Sequence, residues 1–88
     1  MNNDPAEQAI LDTLRARGAG KSICPTEAAR NLAGNPPDDT WRRSLAPVKL
    51  AAQRLARAQK IEILRKGKPI DPSNLHGVLR LRLAAGAE

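Results

Sequence analysis

The sequence predicts an α+β fold of the winged-helix type, with three main helices and a short antiparallel β-hairpin as the wing. Three observations predict it. Two helix patterns in the first half of the chain each carry their own start and stop signals. A third, basic helix pattern follows Pro47: at about 100° per residue, Val48, Ala51, Ala52, Leu55 and Ala58 fall on one face, and Lys49, Gln53, Arg57 and Lys60 on the other. Directly after it come the β-branched run Ile61-Glu62-Ile63-Leu64-Arg65, the turn residues Lys66-Gly67-Lys68, and a second strand pattern from Val78 to Leu83. Helix, strand, loop and strand in that order form the back half of a winged helix.

Taken in order, Asp4 caps the first helix, Pro5 suits its first position and Glu7 stands where a capping-box partner reaches back. Ala6, Ile10, Leu11 and Leu14 give it an apolar stripe as far as Arg17, and Gly18 supplies a left-handed stop. Gly18-Ala19-Gly20 reads as a flexible turn, and Lys21-Ser22-Ile23 as a short edge strand. Cys24-Pro25-Thr26-Glu27 opens the second helix, whose thin apolar face of Ala28, Ala29 and Leu32 suits close approach by another helix; Gly34 ends it. Asn35 to Thr40, with two prolines, is irregular, and one of Asp38, Asp39 or Thr40 caps a single turn through Trp41 and Ser44. Trp41, the only aromatic residue, reads as a plug closing one end of an aliphatic core. Pro47 restarts the chain into the third helix, where Leu50 is exposed. In the strands, Ile61 and Ile63 share one face, and Leu79, Leu81 and Leu83 alternate with outward Arg80 and Arg82. Lys66 to Gly77 is a long loop for a hairpin, and Ala84 to Glu88 frays.

A chain of 88 residues makes one domain, with an ordered core over about residues 4–83 and too little material for a deep catalytic cleft. The single cysteine, Cys24, excludes an internal disulfide, and no metal-ligand spacing or cofactor motif is present. Met1 to Pro5 lacks a charged, apolar leader, and no apolar run approaches the roughly 20 residues of a membrane span. A cytoplasmic, non-membrane protein is expected. His76 stands in the loop without a serine, cysteine or carboxylate cluster around it, so no enzyme is expected. Gly18 to Ser22 lacks the spacing of a phosphate loop.

The charge is uneven. Residues 1–40 hold four basic against six acidic groups, and residues 41–88 hold eleven against three. A Lys- and Arg-rich helix face alone reads equally well as a solvated face; a positive field concentrated on the proposed recognition half favours a polyanion partner. Lys49, Gln53 and Arg57 are side chains of the kinds that reach base edges and phosphates from a helix in the major groove. Arg42 and Arg43 in the turn, and Lys66 and Lys68 on the wing, are placed to hold phosphates. With no Tyr or Phe, stacking platforms for single strands are lacking, and duplex DNA is favoured. The expected role is a transcriptional regulator or accessory factor. The alternative is a protein-interaction module that binds an acidic protein or forms a homodimer through an edge strand or Leu50.

The segments Lys21 to Glu27, Trp41-Arg42, Pro47 to Leu55, and Ile61-Glu62-Ile63 through Lys66-Gly67-Lys68-Pro69-Ile70-Asp71-Pro72 resemble a bacterial family of small, uncharacterised winged-helix-like domains. The resemblance spans roughly residues 6–83 and implies the winged-helix pattern without implying an activity or a set of site residues. One departure stands out: Leu32 to Pro47 is much longer than the turn of a standard helix-turn-helix, which leaves room for the Trp41 turn to cover the recognition face.

Overall fold

The computed structural model describes residues 4–18 and 20–84. Helix α1 (Pro5–Arg17) starts where Asp4 Oδ1 accepts from the Ala6 and Glu7 amides at 2.8 and 3.2 Å. It stops at Gly18, whose φ of 112° is open to glycine and whose N–H donates to Leu14 O at 3.0 Å. Ile10 and Leu14 are fully buried from this helix. Strand β1 (Ser22–Ile23) leads into α2 (Pro25–Leu32), where Glu27 Oε2 accepts from the Cys24 amide at 2.7 Å and Arg17 pairs with the same carboxylate. Ala28 and Ala29 are wholly buried, and their small side chains let α1 pack closely against α2. The α2 end is a Schellman arrangement: Asn35 N donates to Arg30 O at 2.7 Å and Gly34 N to Asn31 O at 3.1 Å.

The connection to the third helix is a 3-10 turn (Asp39–Ser44), capped by Asp38. Hydrogen bonds from the Thr40 hydroxyl and amide hold the Asp38 carboxyl below its ordinary pKa. Trp41 is buried, and its ring lies between α2 and the turn with Arg30 and Arg42 guanidinium carbons 4.7 and 5.2 Å from its centroid. The turn runs unbroken into α3 (Leu45–Arg57). The helix therefore begins two residues before Pro47 instead of restarting there. Pro47 lies in the first turn, where a missing N–H leaves no helical bond unmade. Val48, Ala51, Ala52 and Leu55 form its buried face as expected, but Ala58 lies past the end and is exposed.

That end is a second Schellman arrangement, with Lys60 N donating to Leu55 O at 2.9 Å and Gln59 N to Ala56 O at 3.0 Å. Here the left-handed residue is Gln59, at φ 62°. Glycine fits this conformation without steric cost. Gln59→Gly is therefore expected to stabilise the protein by about 0.5–1 kcal/mol in urea unfolding, after allowing for the larger unfolded-state entropy of glycine.

Strand β2 (Ile61–Arg65) follows, then β3 (Lys68–Pro69) and β4 (Arg80–Leu83), all antiparallel in the order β1-β4-β2-β3. The sheet has four strands, where two or three were expected. The added strand arises because Lys66 and Gly67, at φ 53° and 79°, make a two-residue turn of type I′ form, so that Leu64 faces Pro69 and Arg65 faces Lys68. Pro69 is tolerated because β3 is an edge strand. The fourth strand starts at Arg80 and not at Val78, which is 83% exposed. Ile61, Ile63, Leu79, Leu81 and Leu83 close the core against the helices. The fold is α+β, three α-helices over one small antiparallel sheet.

Of the expected fraying tail, only Ala84 is described, its amide donating to Lys60 O at 3.1 Å. The remainder of that tail, Ala19 of the Gly18-Ala19-Gly20 turn, and the first three residues lie outside the described residues.

Candidate nucleic-acid interface

The ion pairs divide the cations into those already matched by an acid and those left for a partner. Arg17 pairs with Glu27, Arg82 with Glu62 at 2.6 Å, and Arg54 with both Glu7 and Asp4, at 2.7 and 2.8 Å. The Glu7 carboxylate is buried, and its hydrogen bond with Arg54, reinforced by the charge of Asp4, raises the Arg54 pKa above its ordinary value. Among the described residues, the side chains of Arg43, Lys49, Lys60, Lys66 and Lys68 hold no ion pair. The positive field of the second half therefore rests largely on side chains that lack a counter-charge within the fold.

The residues expected to contact DNA do not form one patch. Lys49 projects from the first half of α3 beside Leu45, Gly77 and Val78. Gln53, four residues on, is half-buried, and its Nε2 donates to the Pro72 carbonyl at 2.8 Å. Arg57 reaches the Ser73 hydroxyl at 3.4 Å. The helix face expected to enter a groove is thus lined by the segment between β3 and β4, and Gln53 is already committed to it. Trp41 is buried in the core, and the segment hydrogen-bonded to that face is the later loop. Lys66 and Lys68 occupy the β2–β3 turn and edge, exposed. Arg42 and Arg43 lie apart on the 3-10 turn, Arg42 over Trp41 and 3.9 Å from Asp39.

Sequence reasoning missed Arg65, whose Nη1 donates to His76 O at 3.3 Å and whose Cδ lies 3.6 Å from the position of a side chain at Gly77. It ties the loop to the hairpin. The signal was an arginine at the last position of β2 facing a long loop, without periodicity to mark the contact. Within the loop, Asp71 Oδ1 accepts from Ser73 N at 2.8 Å. Hydrogen bonds from the Ser73 amide and hydroxyl, with the charge of Arg57 adding to them, hold the Asp71 pKa below its usual range.

The other chemistry-bearing groups are dispersed. Cys24 is half-buried, its Sγ accepting from Thr26 Oγ1 at 3.1 Å, beside a shallow hollow of about 220 Å³ next to Leu45 and Val78. Among the described residues no three His, Cys, Asp or Glu groups come together as a metal site, and no helix is long and apolar enough to cross a membrane. No curated protein matches the chain. A family model does match, from residue 3 to residue 84, and the chain belongs to the family described as protein of unknown function (DUF3253).

Proposed function

We propose that this chain is a winged-helix domain that binds duplex DNA. Helix, short strand, two further helices and a hairpin whose last long strand pairs with the first is the element order expected of a winged helix, with β2–β3 as the wing. The observation that carries the reading is electrostatic. Lys49 on α3 and Lys66 and Lys68 on the hairpin are exposed and, among the described residues, hold no ion pair, whereas Glu7, Glu27 and Glu62 are each matched by an arginine. Phosphates at these lysines would meet positive charge without first breaking an internal ion pair.

The test is fluorescence anisotropy of a labelled random-sequence duplex titrated with the full chain at increasing salt. Affinity is expected to fall steeply, with a log–log slope of about −3 to −5 if three to five phosphates are neutralised. Absence of binding at about 50 mM salt, where non-specific contacts are strong, overturns the reading.

One observation favours the alternative of a protein-interaction module. The outer ridge of α3 carries Ala46, Pro47 and Leu50, the last 57% exposed, beside the Asp4–Arg54 pair. Retention of a protein by the immobilised chain after nuclease treatment, with loss on Leu50→Asp, supports that second reading.

A further inference from the structure

The loop between β3 and β4 is a built element, held by three side chains from two elements. Gln53 and Arg57 of α3 donate to Pro72 O and Ser73 Oγ, and Arg65 of β2 donates to His76 O. Inside it, Asn74 N donates to Asp71 O at 2.9 Å and His76 N to Asn74 O at 3.2 Å. Ile70 and Leu75 pack against the core, so apolar burial anchors both halves of the loop. On either side of Leu75, Asn74 and His76 are exposed, and among the described residues no hydrogen bond engages either side chain.

Helix α3 is correspondingly poor in free reading groups. At about 100° per residue its most outward positions are Ala46, Leu50, Gln53 and Arg57, with Lys49 and Arg54 on either flank. Ala46 and Leu50 are apolar, Arg54 is matched by Asp4 and Glu7, Gln53 and Arg57 hold the loop, and Lys49 offers donors only. Asn74 and His76 offer what that ridge lacks. An asparagine amide presents a donor and an acceptor side by side, the pattern that pairs with adenine N7 and N6, and a neutral imidazole presents one of each. Lys49 stands at the Gly77–Val78 end of the loop, and Lys66 and Lys68 lie beyond Arg65.

We infer that Asn74 and His76 are the base-reading side chains of this protein's duplex interface, and that Gln53, Arg57 and Arg65 are positioning residues that hold the loop. The inference rests on the duplex-binding reading above. In it the loop enters the groove, the flanking lysines grip the phosphates, and α3 serves as the loop's support.

The test is selection of preferred sites from a random duplex pool by the full chain, with anisotropy on the selected and random duplexes. For wild type, Asn74→Ala/His76→Ala and Gln53→Ala, circular-dichroism melting checks folding. The loop double variant is expected to keep random-duplex affinity and salt slope within about twofold, while its preference for the selected site drops about tenfold or more. Gln53→Ala is expected to lose part of that preference at unchanged random-duplex affinity, because the hydrogen bond it removes goes to the loop's Pro72 carbonyl and not to the duplex. Selection of the same site by the double variant at undiminished preference overturns the inference and returns base reading to α3. Wild-type binding without any selectable site also overturns it, leaving duplex binding intact. Failure of wild type to bind any duplex at low salt overturns both readings.

Discussion

Trp41→Ala is expected to cost about 3–5 kcal/mol, the range for truncating a buried aromatic side chain. A protein of this size has roughly 4–13 kcal/mol in total at the usual per-residue stability, so the variant keeps little margin. The reason lies in where the ring sits. It is 8% exposed, and it joins the 3-10 turn to α2 in a close-packed interior that refills such a space only in part. Arg30 and Arg42 bracket its faces and lose their partner with it. The turn also feeds directly into α3, so a gap beneath it loosens the start of that helix. Far-ultraviolet circular dichroism is expected to show the melting midpoint lowered by roughly 15 °C or more. Trp41→Phe, which retains most of the apolar volume, is expected to recover over half of the loss. A Trp41→Ala midpoint within about 3 °C of wild type would mean the ring contributes little to the core.

The parts of the fold legible in the sequence are those fixed by local stereochemistry. Asp4-Pro5 and Gly18 bound α1, Pro25 and Gly34 bound α2, and the period-two run of Leu79, Leu81 and Leu83 gave the inward face of β4. Errors arose where one residue admits two roles. Pro47 reads as a helix start because proline is common there, yet the same lack of an N–H makes it harmless two residues into the helix. Lys66 to Gly77 reads as one long loop, but an edge strand accepts Pro69, and Lys66-Gly67 closes a hairpin inside those twelve residues. The helix face at Gln53 and Arg57 was legible as polar but not as occupied. What covers it is a segment without periodicity, brought there by tertiary contacts that no spacing rule encodes.

The charge asymmetry was readable residue by residue, and its distribution among pairs was not. That distinction yields a second large effect. Lys49→Glu, Lys66→Glu and Lys68→Glu together are expected to weaken binding to a random duplex by about 100-fold or more near 0.1 M salt, and to lower the magnitude of the salt slope by about 3. Each substitution removes a cation that holds no ion pair among the described residues and puts an anion where a phosphate would lie. None breaks an internal salt bridge, so stability is expected to stay within about 0.5 kcal/mol per site. Net charge alone must be separated from position. Arg15→Glu, on an exposed part of α1, changes the charge as much as Lys66→Glu does; α1 leads into β1, the sheet edge opposite β3. If the lysines make local phosphate contacts, Lys66→Glu weakens binding at least threefold more than Arg15→Glu, and the gap narrows as salt rises because exposed contacts are screened beyond a Debye length of about 10 Å at 0.1 M. Equal effects of the two would show a diffuse attraction of the whole basic chain and remove the assignment of an interface to the hairpin side.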